Sequence, residues 1–324
     1  MKILITGAAG MIGRKLTARL LADGELNGQV IERLDLVDIV ASSLDGLDGD
    51  TSLCEVIVGD LNQPGVAPSL AERDADVVFH LAGVVSGEAE VDFDKGMRVN
   101  LDGTRSMFDA LRLVEATPRV VFTSSIAVFG APFPPVIPDD FHLTPLTSYG
   151  AEKAMCELML ADYTRRDFFD GIGIRLPTIS VRPGKPNAAA SGFFSGIIRE
   201  PLAGVEAVLP VSREVVHTHA SPRSAINYLI HAAGLDGADV GNRRNMTMPG
   251  VGVTVGEQIE ALERVAGADV VKLIRPEPDE LVATIVAGWP TRFATDRANA
   301  LGFVGESTYD EIINAHIEDE TAVG

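Results

Sequence analysis

The 324-residue sequence holds two cysteines, Cys54 and Cys156, too few for a disulfide framework or a cysteine-rich zinc site. Cys54 falls where a strand should begin and Cys156 within a helical stretch, so both read as small core residues. No apolar run reaches the ~18 residues that a membrane-spanning helix requires. No secretory leader is expected, because Met1 runs straight into a strand-like stretch, and the cytoplasm is the expected compartment. Basic residues are scarce. Lys and Arg total 27 against 46 for Asp and Glu, a formal net charge of −19. Such a surface repels nucleic acid and anionic lipid, and aids solubility or salt tolerance. An anionic ligand must then be held by local donors, such as a helix N-terminus or single arginines and lysines. The pair His217 and His219 has no cysteine or third histidine nearby, so no metal is expected and the two read as lid or surface residues. Internal repeats and low-complexity tracts are absent.

What is present is a strict alternation of short apolar strands with helical patterns. Strands are expected at Lys2–Thr6, Arg33–Asp38, 55–59, 77–81, 119–123 and 173–181, and helices at 11–22, 93–115 and 149–166. Strands alternating with helices indicate a parallel sheet covered on both faces, the doubly wound α/β (Rossmann) class, with ligands beyond the carboxyl ends of the strands. Beyond Arg182 the pattern changes. Pro and Gly punctuate residues 183–222, and helices at 223–233 and 255–265 are separated by irregular segments. The expected organisation is a Rossmann domain over 1–182 and a smaller α/β substrate-binding lid over 183–324. Some lid segments return to the main sheet, a strand near 245–248 among them, and the last residues fray.

Gly7-Ala8-Ala9-Gly10-Met11-Ile12-Gly13 follows the first strand and opens the first helix. Glycines there let the backbone turn tightly and approach a pyrophosphate, and the helix N-terminus offers free N–H groups to phosphates. Asp38 ends the second strand about 25 residues on, where it can accept hydrogen bonds from ribose hydroxyls and repel a 2′-phosphate. NAD is therefore the expected cofactor. Tyr149 and Lys153, four apart at a helix start, share one face. An ammonium beside a phenol favours the phenolate and draws its pKa down toward the working range.

The G-x-x-G-x-x-G spacing resembles that of the extended short-chain dehydrogenase/reductase family, of the epimerase/dehydratase type. Further landmarks stand in order: Gly59-Asp60-Leu61, His80-Leu81-Ala82-Gly83, Val99-Asn100, the strand ending Thr123-Ser124-Ser125, and Tyr149-Gly150-Ala151-Glu152-Lys153. The resemblance implies that Asp60 faces the adenine, that Leu61, Leu81, Ala82, Gly83 and Pro177 line the cofactor, and that Asn100 braces the active-site backbone. It also implies that Lys153 bonds the nicotinamide ribose. Alignment on the Gly130 turn gives the catalytic hydroxyl to Ser125, with Ser124 its neighbour and Tyr149 the proton acceptor. Dehydratases of the family place an Asp-Glu pair directly after that hydroxyl; Ile126-Ala127 stands here, which removes the acid and base of water elimination.

The stretches 84–90, 176–187, 196–202 and 288–290 are similar to those of family members that oxidise a small sugar acid. A carboxylate needs a cationic donor, and a guanidinium binds one bidentately. Arg182 is the first choice, with Lys185 second, while Ser86, Thr178 and Asn187 suit hydroxyls, beside Ser125 and Tyr149. A sugar-nucleotide epimerase, another sugar or uronate dehydrogenase, and a non-catalytic NAD-binding regulator stay open as alternatives. Relatives in the family often form a homodimer through two helices per subunit. Here those are 93–115 and 149–166, with Met155, Cys156, Leu158 and Met159 as apolar candidates.

Overall fold

The computed structural model describes residues 1–184 and 191–321. The chain divides into two compact units, one of Met1–Val128, Thr147–Arg175 and Ile226–Met246, the other of Phe129–Leu146, Leu176–Ala225 and Thr247–Gly324.

The first unit is built on β1 (Lys2–Thr6), β2 (Arg33–Asp38), β3 (Cys54–Val58), β4 (Val77–His80), β5 (Arg119–Ser125) and β6 (Asp170–Leu176). With Asn245–Thr247 at one edge they form a seven-stranded sheet, ordered Asn245–Thr247, β6, β5, β4, β1, β2, β3. The strand expected to return from the later part of the chain is that edge strand. β1 runs parallel to both β2 and β4, with Thr6 opposite Val37 and His80, so the carboxyl ends of these strands lie level. Ile3, Leu4 and Ile5 are fully buried, as a central parallel strand covered on both faces requires. One face is closed by a core in which Phe108, Phe122, Cys156 and Leu160 pack together. Cys156 is thus the core residue expected, while Cys54 is only half-buried.

Two elements depart from the sequence expectation. The single helix over 93–115 is instead Ser86–Val91 (α2), Phe93–Gly96 (α3), a π-helical stretch Met97–Asp102, and Gly103–Leu111 (α4). The wider turn leaves the Asn100 carbonyl to accept from Thr104 Oγ1 at 2.6 Å and from Cys156 Sγ at 3.3 Å. The strand over 173–181 is cut in two. Pro177 has no N–H to give a ladder, so β6 stops at Leu176 and Thr178–Ile179 (β7) pairs elsewhere.

In the second unit β7 lies parallel to Val216–Ala220 (β8), which pairs antiparallel with Val251–Thr254 (β9). Gly192–Leu202 (α6) and Val255–Ala266 (α7) enclose a separate core with Phe194, Ile198, Leu262 and Ile312. Residues 129–146 belong here too: Phe129 packs on Phe141 and Phe293, and Ile137 bridges to Phe293. The chain re-enters the first unit with the helix Ser148–Arg165 (α5).

Candidate active site

The turn after β1 is shaped by close approach. Gly7 has φ +74°, and a Cβ there would meet the Ala82 nitrogen at 2.7 Å. At Gly13 a Cβ would overlap the Gly7 carbonyl oxygen, so helix Met11–Asp23 (α1) can close against the turn only with glycine at that position. Gly10 caps α1 without a side chain, no acid lies in its first turn, and among the described residues no carboxylate accepts from its first N–H groups. Met11 and Ile12 form that first turn. Asp38 Oδ2 accepts from Ala9 N–H at 3.0 Å and Oδ1 from Ile39 N–H at 2.7 Å, which fixes the carboxylate at the rim of the same turn. The donor set and the close backbone fit a pyrophosphate-containing dinucleotide with a free 2′-hydroxyl.

Ser125 ends β5 and Tyr149 opens α5, and the Ser125 hydroxyl lies near enough to the phenol to favour its phenolate. Ser125 Oγ also accepts from Ala127 N–H at 3.1 Å. Lys153 is 4% exposed; its Nζ donates to the Thr123 carbonyl at 2.9 Å and lies 5.7 Å from the Tyr149 ring centre. Burial lowers the Lys153 pKa. Burial also pushes the Tyr149 phenol up to about 12, opposed by the Ser125 hydrogen bond and reinforced by Glu152 and Cys156. Desolvation of the phenolate is the largest of these influences, and Lys153, whose Nζ is held by a strand carbonyl, is not among them.

Adjacent Ser124 faces the other way. Its Oγ donates to Glu157 Oε1 at 2.6 Å, and Glu157 is paired with Arg175 Nη2 at 2.8 Å inside the core. Alternation along the strand thus separates a structural serine from the one that meets Tyr149.

Asn100 is fully buried. Its Oδ1 accepts from Val84 N–H at 2.8 Å, while Nδ2 donates to the Val84 carbonyl at 3.3 Å and to Glu152 Oε2 at 2.6 Å. It braces the segment after β4 through these bonds rather than by presenting a side chain to a ligand. A Cβ on exposed Gly83 would meet Asn100 Oδ1 at 2.8 Å and Lys153 Nζ at 3.7 Å, so the Leu81-Ala82-Gly83 turn runs against both. His80 links this brace to β1, bonded to Thr6 Oγ1 at 2.8 Å and to Thr104 Oγ1 at 2.9 Å. Burial first, then Lys153, lowers its pKa to about 3, leaving it neutral.

Asp60 is engaged by Arg98 Nη1 at 2.7 Å and by Asn62 N–H at 2.9 Å. Burial raises its pKa, and these donors outweigh that to hold it below the usual range. Leu61 is buried against the sheet core, and Ser86 lies half-buried at the start of α2. The remaining expected residues lie in the second unit. Pro177 is buried, and Thr178 Oγ1 is 2.6 Å from His217 Nε2. Arg182 is half-buried. Its Nη2 donates to Ser191 Oγ at 3.3 Å, and among the described residues no carboxylate pairs with it. Burial, with Arg199 second, lowers its pKa. Lys185 and Asn187 lie outside the described residues.

His217 and His219 are not surface residues: they are 2% and 0% exposed, packed around Phe194. Alternation places both on one side of β8, and that side faces the apolar core. Glu152 and Glu157 had no role assigned from sequence. A carboxylate in a helix reads as a solvated face, and only the fold reveals that Asn100 and Arg175 receive them.

Residues 3–219 match the model of the NAD dependent epimerase/dehydratase family. A D-erythronate dehydrogenase from Cupriavidus necator is 50% identical over 98% of this chain and 98% of its own length. A second D-erythronate dehydrogenase, from Haemophilus influenzae, is 39% identical over 98% of this chain and 99% of its own. Among solved structures, one described as the nucleoside-diphosphate-sugar epimerase from Agrobacterium tumefaciens is 59% identical, with a TM-score of 0.96 over 100% of this chain and 95% of that one.

Proposed function

Because this chain belongs to the NAD dependent epimerase/dehydratase family, we propose that it is an NAD-dependent dehydrogenase oxidising the 2-hydroxyl of D-erythronate to the 2-oxo acid. The adjacent Ser125 and Tyr149 hydroxyls beside Lys153 carry the chemistry. Ser125 holds the 2-hydroxyl, and Tyr149 takes its proton as the C2–H bond breaks. Lys153, held by Thr123, places positive charge near Tyr149 and so favours the phenolate that accepts this proton. NAD, when bound, supplies the nicotinamide carbon that accepts the hydride. The glycine turn and α1 would hold its pyrophosphate, and Asp38 its adenosine ribose. Asp60, Leu61, Leu81, Ala82, Gly83 and Pro177 complete the reading of the cofactor contacts. Arg182, a half-buried cation without a carboxylate partner among the described residues, is proposed to take the substrate carboxylate. Ser86, Thr178 and Asn187 are proposed to take hydroxyls.

Ile126 is buried and apolar where a dehydratase needs its acid, which removes water elimination. The epimerase description of the Agrobacterium structure supports a second reading, in which hydride returns to the substrate and no NADH accumulates. Purified protein with NAD and a panel of four- to six-carbon sugar acids separates the two. NADH is expected to appear with D-erythronate. Interconversion of a nucleotide sugar without NADH would overturn the dehydrogenase.

Among the described residues no helix is long and apolar enough to cross a membrane. A cytoplasmic location belongs to this reading, as does a homodimer through α5, on which Met155 and Leu158 are 36% and 66% exposed. Cys156 packs into the core instead and offers no surface to a partner, whereas Met159 is half-buried against that core.

A further inference from the structure

His217 sits two residues before His219, which is opposite Thr178 in the parallel β7–β8 register. Its ring stacks on Phe194, at 5.1 Å between centres and 3° between planes, with Trp289 at 5.4 Å. An imidazole so enclosed has little freedom to turn, and its Nε2 is held 2.6 Å from Thr178 Oγ1. Burial lowers its pKa to about 4, with the Pro290 carbonyl opposing, so the ring is neutral and carries one N–H. With Nε2 facing the Thr178 hydroxyl, we assign the ring proton to Nδ1, and the Pro290 carbonyl is the backbone acceptor that favours a proton on this ring. Nε2 is then the lone-pair nitrogen, and the Thr178 hydroxyl donates to it.

We infer that His217 is a positioning residue that takes the only Thr178 hydroxyl proton, so that Thr178 accepts from a non-reacting hydroxyl of the substrate. The inference rests on the sugar-acid reading and deepens it. A hydroxyl whose proton is committed offers only lone pairs. It repels a carboxylate and selects a ligand O–H, leaving the carboxylate to a cation such as Arg182. Thr178 is half-buried and so retains accessible surface, whereas His217 has almost none. A histidine that merely fills the core would not discriminate between substrates by their hydroxyls.

The test compares Thr178→Val, Thr178→Ser, His217→Asn and His217→Gln with D-erythronate and with its 3-deoxy and 4-deoxy analogues. Asn cannot reach the Nε2 position, whereas the Gln amide oxygen can accept there. Thr178→Val and His217→Asn are each expected to raise KM for D-erythronate about tenfold, the scale of one hydrogen bond, with KM for NAD unchanged. Thr178→Ser and His217→Gln should stay near wild type. The Val/Asn double variant should be no worse than the poorer single variant. With whichever deoxy analogue lacks the recognised hydroxyl, wild type and variants should converge.

The inference is overturned if His217→Asn keeps the wild-type KM, if the two effects add, or if His217→Gln behaves like His217→Asn at equal melting temperature. Should the His217 variants fail to fold, equal KM for Thr178→Val and Thr178→Ser overturns it alone. Wild-type protein that does not oxidise D-erythronate at all sinks the underlying reading first, a result distinct from each of these.

Discussion

Asn100 Nδ2 donates to Glu152 Oε2 at 2.6 Å, which ties the π-helical turn after β4 to the helix that carries Tyr149 and Lys153. Burial, opposed by Asn100 and then Lys153, raises the Glu152 pKa. An acid whose folded pKa is raised binds its proton more tightly in the native state. The stability it contributes is present below the unfolded pKa, near 4.5, and is lost as pH rises through the folded value. Glu152→Gln keeps an acceptor without the charge. Its unfolding midpoint in urea should exceed that of wild type at pH 8, and the gap should close toward pH 4.

The two serines ending β5 should separate stability from chemistry. Ser125→Ala removes the hydroxyl beside Tyr149 and should lower kcat by roughly 10²-fold or more with little change in melting temperature. Ser124→Ala takes a donor from buried Glu157, and should cost about 1–3 kcal/mol in stability while kcat stays within a few-fold. Equal activity losses in the two variants would contradict the assignment.

With its pKa near 12, Tyr149 is a neutral phenol at pH 7, and its phenolate fraction grows tenfold per pH unit below that value. Initial rates of oxidation should climb from pH 7 to 10. Tyr149→Phe should remove the climb along with about 10²–10⁴ of the rate, while NAD still quenches intrinsic fluorescence.

Asp38 is held by two backbone N–H groups at the rim of the glycine turn. Asp38→Ala should raise KM for NAD by about tenfold to a hundredfold, the worth of a charged hydrogen bond, and weaken discrimination against NADP. Steady-state kinetics with both cofactors measure this directly. An unchanged NAD/NADP ratio would remove Asp38 from the ribose site.

Arg182→Ala should raise KM for the acid strongly and leave KM for NAD alone, and Arg182→Lys should recover only part of the loss, because lysine lacks the planar fork. Wild-type kinetics in Arg182→Ala would take the residue out of the substrate site.

The amino-acid sequence by itself determined the parallel sheet, the glycine turn and the Tyr149–Lys153 spacing. Each is written in neighbouring residues, as an apolar run, a chain of glycines, or two positions on one helix face. Pro177 could have announced the break between β6 and β7, since its missing N–H is visible in the sequence. The π-helical turn could not, because it is fixed by Thr104 and Cys156 reaching one carbonyl. Only the tertiary structure decided that Ser124 turns to Glu157, that Asn100 meets Glu152 across 52 residues, and that His217 is buried against Thr178. It also decided how strongly burial raises the Tyr149 pKa. The reason is common to all of these: desolvation and hydrogen-bond partnership depend on which distant residues enclose a group, and no local pattern encodes that enclosure.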